Sequence, residues 1–317
     1  MIALRYSQFL AVRLKPYYNK PFMKPAPFEY FAPDNLDAAL ELLDEHGPEA
    51  KVLAGGQSLI PAMNFRLVQP KILIDLNKIT ELAFIREDPS RNLHIGAMTR
   101  QSALERSAPI AARAPLLKET LPHIAHLQIR NRGTIGGSLA HADPAAELPV
   151  IAIALNAAMR LQSKTAERTV PAREFFQSMF TTALIPGEIL VEVVLPAMPE
   201  GSGWAFIEFS RRRGDYALAG VAVVVSPPTN GDGWVCRMVF LNLGDGPVDS
   251  SGAVKILAVA KPGEKEIKAA ADHAATHEIE PLGSLHATPE FQRHLARALT
   301  ERALRRAFTR AGLPLND

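Results

Sequence analysis

Cysteine is the residue type that this chain has least of, because Cys236 is the only one among 317 residues. A single thiol cannot form a disulfide within the chain, and it cannot hold an iron–sulfur cluster, which needs about four thiolates. Any such cluster must therefore belong to another chain. Cys236 itself lies in a strand pattern, and we expect it to be a small core residue.

Long apolar runs and a dominant charge are also missing. The longest runs, at residues 218–225 and 150–155, are far shorter than the roughly 20 residues that a membrane-spanning helix needs. The net charge is only +2, and 47% of the residues are hydrophobic. We therefore expect a soluble, cytoplasmic protein without a membrane span, and we expect neither nucleic acid nor an anionic membrane as its main partner.

The length predicts more than one packed unit. Residues 1–22 contain basic but no acidic residues, and we interpret them as an N-terminal extension, either a leader or an upstream start with Met23 as the natural beginning; a targeting segment is the alternative. Residues 23–200 form the first domain, with lobes at about 23–80 and 81–200. Turn residues near 200 predict the boundary to a second domain, 201–317.

Hydrophobic periodicity predicts the secondary structure. Helices are expected at 37–46, 59–67, 101–106, 115–121, from about 145, at 265–277 and at 289–311. Strands are expected at 51–54, 72–76, 92–96, 188–195, 204–210, 220–225 and 234–242. The last region is predicted to be a sheet with helices on one side. One face of its final helix is rich in arginine, which indicates either a solvated face or a docking surface for a partner subunit.

Two glycine pairs are the segments most suggestive of chemistry. Leu53-Ala-Gly-Gly-Gln-Ser-Leu59 follows a predicted strand, and Thr134-Ile-Gly-Gly-Ser138 precedes a predicted helix. Glycine lets the backbone approach a ligand, so successive N–H groups of both loops are expected to bind a diphosphate. A simple turn is the alternative for each pair. Neither loop is a Walker A or Rossmann motif.

The sequence shows no pattern typical of a metal site or a catalytic triad. His123, His126 and His141 lie near the second glycine pair, but no regularly spaced cysteine or carboxylate completes a ligand set. We therefore predict neither a metal ligand nor a catalytic acid, base or nucleophile.

Three motifs in order carry a family resemblance. Ala54-Gly-Gly-Gln-Ser-Leu-Ile-Pro61, Gln128-Ile-Arg-Asn-Arg-Gly-Thr-Ile-Gly-Gly-Ser138 and His141-Ala-Asp-Pro-Ala-Ala-Glu-Leu-Pro149 together closely resemble the medium, FAD-binding subunits of the carbon monoxide dehydrogenase and xanthine dehydrogenase family. Arg211-Arg-Arg-Gly-Asp-Tyr-Ala217 is similar to a further basic and aromatic stretch of that family. The resemblance extends over residues 23–313.

The resemblance implies an α+β fold: a two-lobed FAD-binding domain of the vanillyl-alcohol-oxidase type, followed by a smaller C-terminal flavoprotein domain with an antiparallel sheet. It also implies a set of FAD-binding residues. The diphosphate would be held by Leu53, Ala54, Gly55, Gly56, Gln57, Ser58, Leu59, Thr134, Ile135, Gly136, Gly137 and Ser138. Polar FAD atoms would meet Asp143 or Glu147, and the isoalloxazine ring would lie near Leu190, Asp215 and Tyr216. A turn role for Asp215 and a core position for Tyr216 are the alternatives.

Several positions depart from the family's common pattern. Gln57 stands where histidine is frequent and Ser138 where asparagine is frequent, and both can still form hydrogen bonds. Ile207 and Glu208 stand where a lysine often lies near the flavin, and Asp249 begins a stretch where an arginine is frequent. These departures concern the electrostatics of the ring rather than FAD binding.

The implied function is that of an oxidoreductase subunit that relays electrons. Electrons would leave a molybdenum cofactor on a large molybdopterin-binding subunit, cross 2Fe–2S clusters on a small subunit, and reach FAD on this chain. An external acceptor would then take them, within a dimer of heterotrimers. The alternatives are a self-sufficient flavin oxidoreductase and a non-redox nucleotide-binding assembly subunit.

Overall fold

The computed structural model describes residues 23–228 and 233–313, so the expected extension at residues 1–22 lies outside the described residues. The helices are α1 (Leu36–His46), α2 (Leu59–Asn64), α3 (Gln101–Arg106), α4 (Ala108–Arg113), α5 (Pro115–Thr120), α6 (Leu127–Arg130), α7 (Ile135–His141), α8 (Glu147–Ala154), α9 (Ala172–Phe175), α10 (Gly252–Leu257), α11 (Glu264–His273) and α12 (Pro289–Arg310). Short 3₁₀ turns lie at Gly47–Glu49, Thr80–Leu82 and Leu121–His123, and a π turn at Ala274–Glu278.

The strands form four sheets. They are β1 (Glu29–Phe31), β2 (Ala50–Leu53), β3 (Ile72–Asp75), β4 (Ile85–Glu87), β5 (Leu93–Gly96), β6 (Ala158–Gln162), β7 (Glu167–Pro171), β8 (Phe176–Ser178), β9 (Thr181–Thr182), β10 (Ile189–Leu195), β11 (Gly203–Ser210), β12 (Ala217–Ser226), β13 (Val235–Leu241) and β14 (Val248–Asp249). The orders are β1-β3-β2, β4-β5-β10-β6-β7, β11-β12-β13-β14 and the β8-β9 hairpin.

The first lobe is a small parallel sheet with helices in its crossovers, since both β1 and β2 pair with β3 in parallel. Helix α1 begins where the side chain of Asn35 accepts a hydrogen bond from the backbone N–H of Ala38 at 2.9 Å, and it ends at Gly47, whose φ of 51° favours glycine. Because β2 and β3 run in the same direction, their carboxyl ends meet at one edge of the sheet.

The second lobe is built on an antiparallel sheet with β10 at its centre, paired with β5 and β6. Its most buried helix is α8, of which all eight residues are buried. This helix contacts β12 and β13 of the last sheet as well as other helices of its own lobe. The hydrophobic core of the second lobe therefore continues into the C-terminal sheet.

The C-terminal sheet is antiparallel, and its own helices α10–α12 lie on one side, as predicted. Strand β12 is buried along its whole length because both faces of the sheet are covered. Val221 and Val223 pack into the core that contains α12, whereas Ala222 and Val224 pack into the core that contains α8. This period-two alternation is what a strand buried on both faces requires.

The two faces of α12 have different surroundings. Phe291 shares a helical face with the buried Leu295 and Leu299, but it is 42% exposed, and its ring lies edge-on to that of Phe209 on β11 with centroids 6.5 Å apart. On the arginine-rich face, Arg305 pairs with Glu264 of α11 at 2.7 Å, and Arg310 pairs with Glu119 of α5 at 2.6 Å. These two arginines hold neighbouring helices of the same chain.

Most expected elements are present, with small differences at their ends. Helix α3 has the predicted bounds, whereas α2 ends at Asn64 rather than at residue 67. One segment was predicted wrongly: residues 135–138 were expected to be a turn before the next helix, but they form the first part of α7. Cys236 is partly buried against the C-terminal core, where burial raises the pKa of its thiol to about 12.

Candidate functional site

The loop after β2 presents unpaired backbone donors. The N–H groups from Gly55 to Leu59 donate to no acceptor within the described residues. Gly55 is buried, although an unpaired buried amide is costly and rare in folded proteins. Gly56 has a φ of 75°, the left-handed conformation that glycine adopts without strain. The loop therefore presents a set of free donors suited to an anion.

The glycines also allow two segments of the chain to approach each other closely. A Cβ atom on Gly55 would lie 2.5 Å from the carbonyl oxygen of Arg132, and one on Gly137 would lie 3.2 Å from the Cβ of Ala54. Real Cβ atoms essentially never come within 2.5 Å of a backbone atom, and a contact of 3.2 Å is tighter than most. The two predicted diphosphate loops thus lie side by side, and part of their glycine requirement comes from this contact.

A polar network behind the first loop was missed by the sequence analysis. Asn77 donates to the carbonyl oxygen of Ala54 at 2.9 Å and accepts from Arg100, whose guanidinium also donates to the carbonyl oxygen of Arg132. The Arg100 side chain thereby links both loops. The sequence contained a signal for this network, because Asn77 follows β3, and the carboxyl ends of the parallel strands β2 and β3 must meet.

The second loop differs from the first because its donors are already paired. Thr134 caps α7 by accepting from the N–H of Gly137 at 3.0 Å, while Ile135 and Gly136 donate to the carbonyl oxygens of Thr99 and Ala97. Ser138 donates to the carbonyl oxygen of Thr134. What this segment offers to a ligand is therefore mainly the side chain of Ser138 and the positive end of the α7 dipole.

Asp143 and Glu147 follow α7, and the structure brings them near Tyr216. The negative charges of Asp143 and Glu147 help to raise the pKa of Tyr216, after the larger effect of desolvation. Glu147 is only 8% exposed, and Tyr216 is 68% exposed. The alternative that Tyr216 is a core residue is thereby wrong.

Asp215 and Leu190 occupy different surroundings. Asp215 is exposed, and its backbone N–H donates to the carbonyl oxygen of Arg212 at 3.0 Å, which places it in a turn. Leu190 is buried in the core of the second lobe, at a bulge of β10 opposite Leu161. The structure therefore leaves Asp215 and Tyr216 at the surface and Leu190 in the core.

A cleft of about 220 Å³ opens beside Asp143. Its walls come from the loop after α7, the β8-β9 hairpin tip and the segment before α12, through Asp143, Pro144, Ala145, Met179, Phe180, Asn242, Gly244, Leu282, Gly283 and Gln292. Met179, Phe180 and Leu282 are all exposed large hydrophobic side chains. The mouth of the cleft thus combines one carboxylate with an apolar rim.

The position of the missing family lysine carries a buried carboxylate. Glu208 on β11 has a side chain that is 5% exposed, and its Oε1 lies 3.0 Å from Nδ1 of His123. Its Oε2 is buried without a hydrogen-bond partner. No group of three or more potential metal ligands occurs within residues 23–228 and 233–313. Across the same ranges, none of the helices is long and apolar enough to cross a membrane.

Two family models match the chain. Residues 26–198 match the FAD binding domain in molybdopterin dehydrogenase, and residues 204–307 match the CO dehydrogenase flavoprotein C-terminal domain. Together they span most of the described chain and divide it near residue 200.

The chain is similar to characterised proteins over nearly its whole length. It is 44% identical to 6-hydroxypseudooxynicotine dehydrogenase complex subunit alpha of Paenarthrobacter nicotinovorans, covering 91% of this chain and 97% of that protein. It is 40% identical to the carbon monoxide dehydrogenase medium chain of Hydrogenophaga pseudoflava, covering 91% and 99%. The solved structure of carbon monoxide dehydrogenase from that organism superposes with a TM-score of 0.86, covering 90% of this chain and 99% of the matched chain.

Proposed function

The chain belongs to the family of FAD-binding medium subunits of molybdenum hydroxylases, and from that premise we propose that it relays electrons through FAD to an external acceptor. The electrons come from 2Fe–2S clusters on a small partner subunit, which receives them from a molybdenum cofactor on a large molybdopterin-binding subunit. The three chains form a dimer of heterotrimers in the cytoplasm. A single cysteine agrees with this division of cofactors, because this chain cannot hold a cluster alone.

The run of unpaired N–H groups from Gly55 to Leu59 is the observation that carries FAD binding. A diphosphate would satisfy these donors, since phosphate oxygens accept several hydrogen bonds at once. The neighbouring residues Leu53 and Ala54 end the strand that positions the loop. Asn77 and Arg100 hold the loop in place by binding the carbonyl oxygens of Ala54 and Arg132.

The second loop completes the site from the other side. Thr134 fixes the start of α7, and Ile135, Gly136 and Gly137 bring the helix against Ala97 and Ala54. The Ser138 hydroxyl and the α7 dipole then favour the anionic part of the cofactor. Asp143 or Glu147 binds polar atoms of FAD, and the ring lies near Leu190, Asp215 and Tyr216.

FAD accepts and releases the electrons, and this is the redox chemistry that the cofactor supplies when bound. The chain binds it, orients it and controls which molecules reach it. None of its side chains has to act as a nucleophile or a metal ligand. The domains that perform these tasks are residues 23–200, which bind FAD, and residues 201–317, which cover the ring.

Two measurements test the proposal. An absorption spectrum of the purified full-length chain is expected to show bound flavin, and material from the native source is expected to contain iron and molybdenum in co-purifying chains. A chain that stays colourless after incubation with FAD would contradict flavin binding. Flavin without co-purifying iron and molybdenum would contradict the relay and favour a self-sufficient flavin oxidoreductase.

A further inference from the structure

Two carboxylates are buried together beneath the surface that carries Asp143 and Tyr216. Glu147 is 8% exposed at the first position of α8, and the side chain of Glu208 on β11 is 5% exposed. Neither carboxylate forms an ion pair with lysine or arginine within the described residues. Burying a negative charge without such a partner is unfavourable, and this burial favours the protonated form of Glu147.

His123 is the basic group of the cluster. Its Nδ1 lies 3.0 Å from Oε1 of Glu208, and its ring packs edge-on against Phe206 with centroids 5.2 Å apart. The second oxygen of Glu208, Oε2, is buried and has no partner in the described residues. One side of the Glu208 carboxylate is therefore satisfied, and the other can still accept a hydrogen bond from a protonated group.

The pKa of Glu147 depends on its burial and on the charged groups around it. Burial raises the pKa of Glu147 to about 7, its own backbone N–H opposes that rise, and the charges of Glu208 and Asp143 add to it. His123 acts in the opposite direction. These groups come from β11, from the loop after α7 and from the Leu121–His123 turn. At neutral pH a proton on Glu147 is therefore easily gained or lost.

The charge of Glu147 is also coupled to the surface where we place the flavin ring. The charge of Glu147 acts on the exposed side chain of Tyr216, together with that of Asp143. Electrostatic effects that reach Tyr216 from Glu147 must act equally in the reverse direction. A negative charge that appears beside Tyr216 would favour the protonated form of Glu147.

We propose that Glu147, Glu208 and His123 form a proton-accepting cluster, with both carboxylates buried and the imidazole half-buried, which takes up one proton from solvent when the neighbouring FAD is reduced. This inference depends on the proposed function, because it needs FAD beside Tyr216. Two electrons enter the flavin from the iron–sulfur donor, and one proton adds to the Glu147 carboxylate to give the neutral acid. The O–H bond of this acid forms as an O–H bond of hydronium in the solvent breaks, and the buried site gains one negative charge fewer than it would without this uptake.

The test is the midpoint potential of the flavin in the full-length, FAD-loaded chain, measured from pH 6 to pH 9 by spectroelectrochemical titration. One additional proton per two electrons makes the potential steeper by about 30 mV per pH unit. We expect that extra slope in the wild type near and above neutral pH, and we expect Glu147→Gln to lack it. Equal slopes in the two proteins would overturn the inference.

Two further variants have opposite expected effects, which a merely structural role would not produce. Glu208→Gln removes a negative neighbour and lowers the pKa of Glu147, so the steep region moves to lower pH. His123→Gln removes a group that lowers this pKa, so the steep region moves to higher pH. Shifts in the same direction would contradict the cluster. If Glu147→Gln does not fold, the opposite shifts of these two variants still test the proposal.

Infrared difference spectra supply an independent readout. Reduction at pH 8 is expected to produce the carbonyl stretching band of a neutral carboxylic acid in the wild type and not in Glu147→Gln. The matched control is Glu192→Gln, since Glu192 is 3% exposed and lies 2.5 Å from His94, but belongs to β10 and pairs with Arg160. A band lost in both variants would overturn the assignment to Glu147.

The outcomes distinguish failure of FAD binding from failure of proton uptake by Glu147. A chain that binds no FAD overturns the proposed function and, with it, the inference. A chain that binds FAD and shows the same potential and infrared spectrum with or without the Glu147 carboxylate overturns the inference alone.

Discussion

The two glycine segments look alike in sequence but differ in what their backbones do. From Gly55 to Leu59 the N–H groups have no acceptor in the described residues, whereas those of Ile135, Gly136 and Gly137 are bonded to Thr99, Ala97 and Thr134. The first segment keeps its backbone N–H donors free, and the second is the capped start of helix α7. A glycine pair can therefore indicate either ligand contact or close packing, and its hydrogen bonds distinguish the two.

The largest effect is expected from Gly136→Val, which breaks the packing of the second segment. A Cβ atom there would lie 2.5 Å from the Cβ of Ala97 and 2.8 Å from its carbonyl oxygen. Overpacking against backbone should lower the free energy of unfolding by about 3 kcal/mol. Thermal unfolding of the chain without FAD measures this loss of stability. The control Gly246→Ala has open space around its Cβ and should be close to neutral. Wild-type stability in Gly136→Val would refute the packing role.

A pH-dependent effect is expected where the second segment leads into α8. Because the pKa of Glu147 is about 7 in the folded chain and near 4.5 when exposed, the native state binds more protons between these values. Its stability should therefore fall by about 3 kcal/mol as pH rises from 4.5 to 7, and then level off. Glu147→Gln should remove this loss and be more stable than the wild type at pH 8. Denaturant unfolding at pH 5 and pH 8 tests it, and a variant that is less stable at pH 8 contradicts it.

The smallest expected change in stability comes from a pair of variants that separates the two segments. Gly56→Ala places a side chain at a φ of 75°, which costs about 1 kcal/mol, and it tilts the free donors, so FAD affinity should fall about tenfold. Thr134→Ala removes the α7 cap, which also costs about 1 kcal/mol, but its affinity for FAD should fall less than that of Gly56→Ala, because Thr134 acts through the position of α7. Calorimetric titration with FAD measures both affinities. Equal losses of affinity would mean that the segments do not differ in role.

Much of this protein could be predicted because its signals are local. Asn35 caps the start of α1 and Gly47 ends this helix. The alternation of side chains between the two faces of β12 follows from its buried apolar run. The family, the α+β fold and the FAD cofactor expected from the motifs are confirmed. The proposed contacts of individual residues with FAD remain predictions.

Other features depended on contacts that no local pattern contains. Asn77 and Arg100 gained a role because parallel strands end at one edge and bring distant loops together. Helical spacing places Phe291 on the face of Leu295 and Leu299, yet its side chain is 42% exposed. Periodicity gives the face of a helix, and it does not give the extent of the surface that covers this face.

The sequence by itself determined many of the helices and strands, the family and the absence of a cluster-forming cysteine set, since each depends on residue type and short-range order. Only the tertiary structure decided which glycine pair keeps its backbone donors free, because that depends on the carbonyl groups of Ala97 and Thr99 from another part of the chain. It also decided that the buried carboxylates of Glu147 and Glu208 come together with the half-buried imidazole of His123. Burial raises the pKa of Glu147, and this burial cannot be read from the position of Glu147 along the chain.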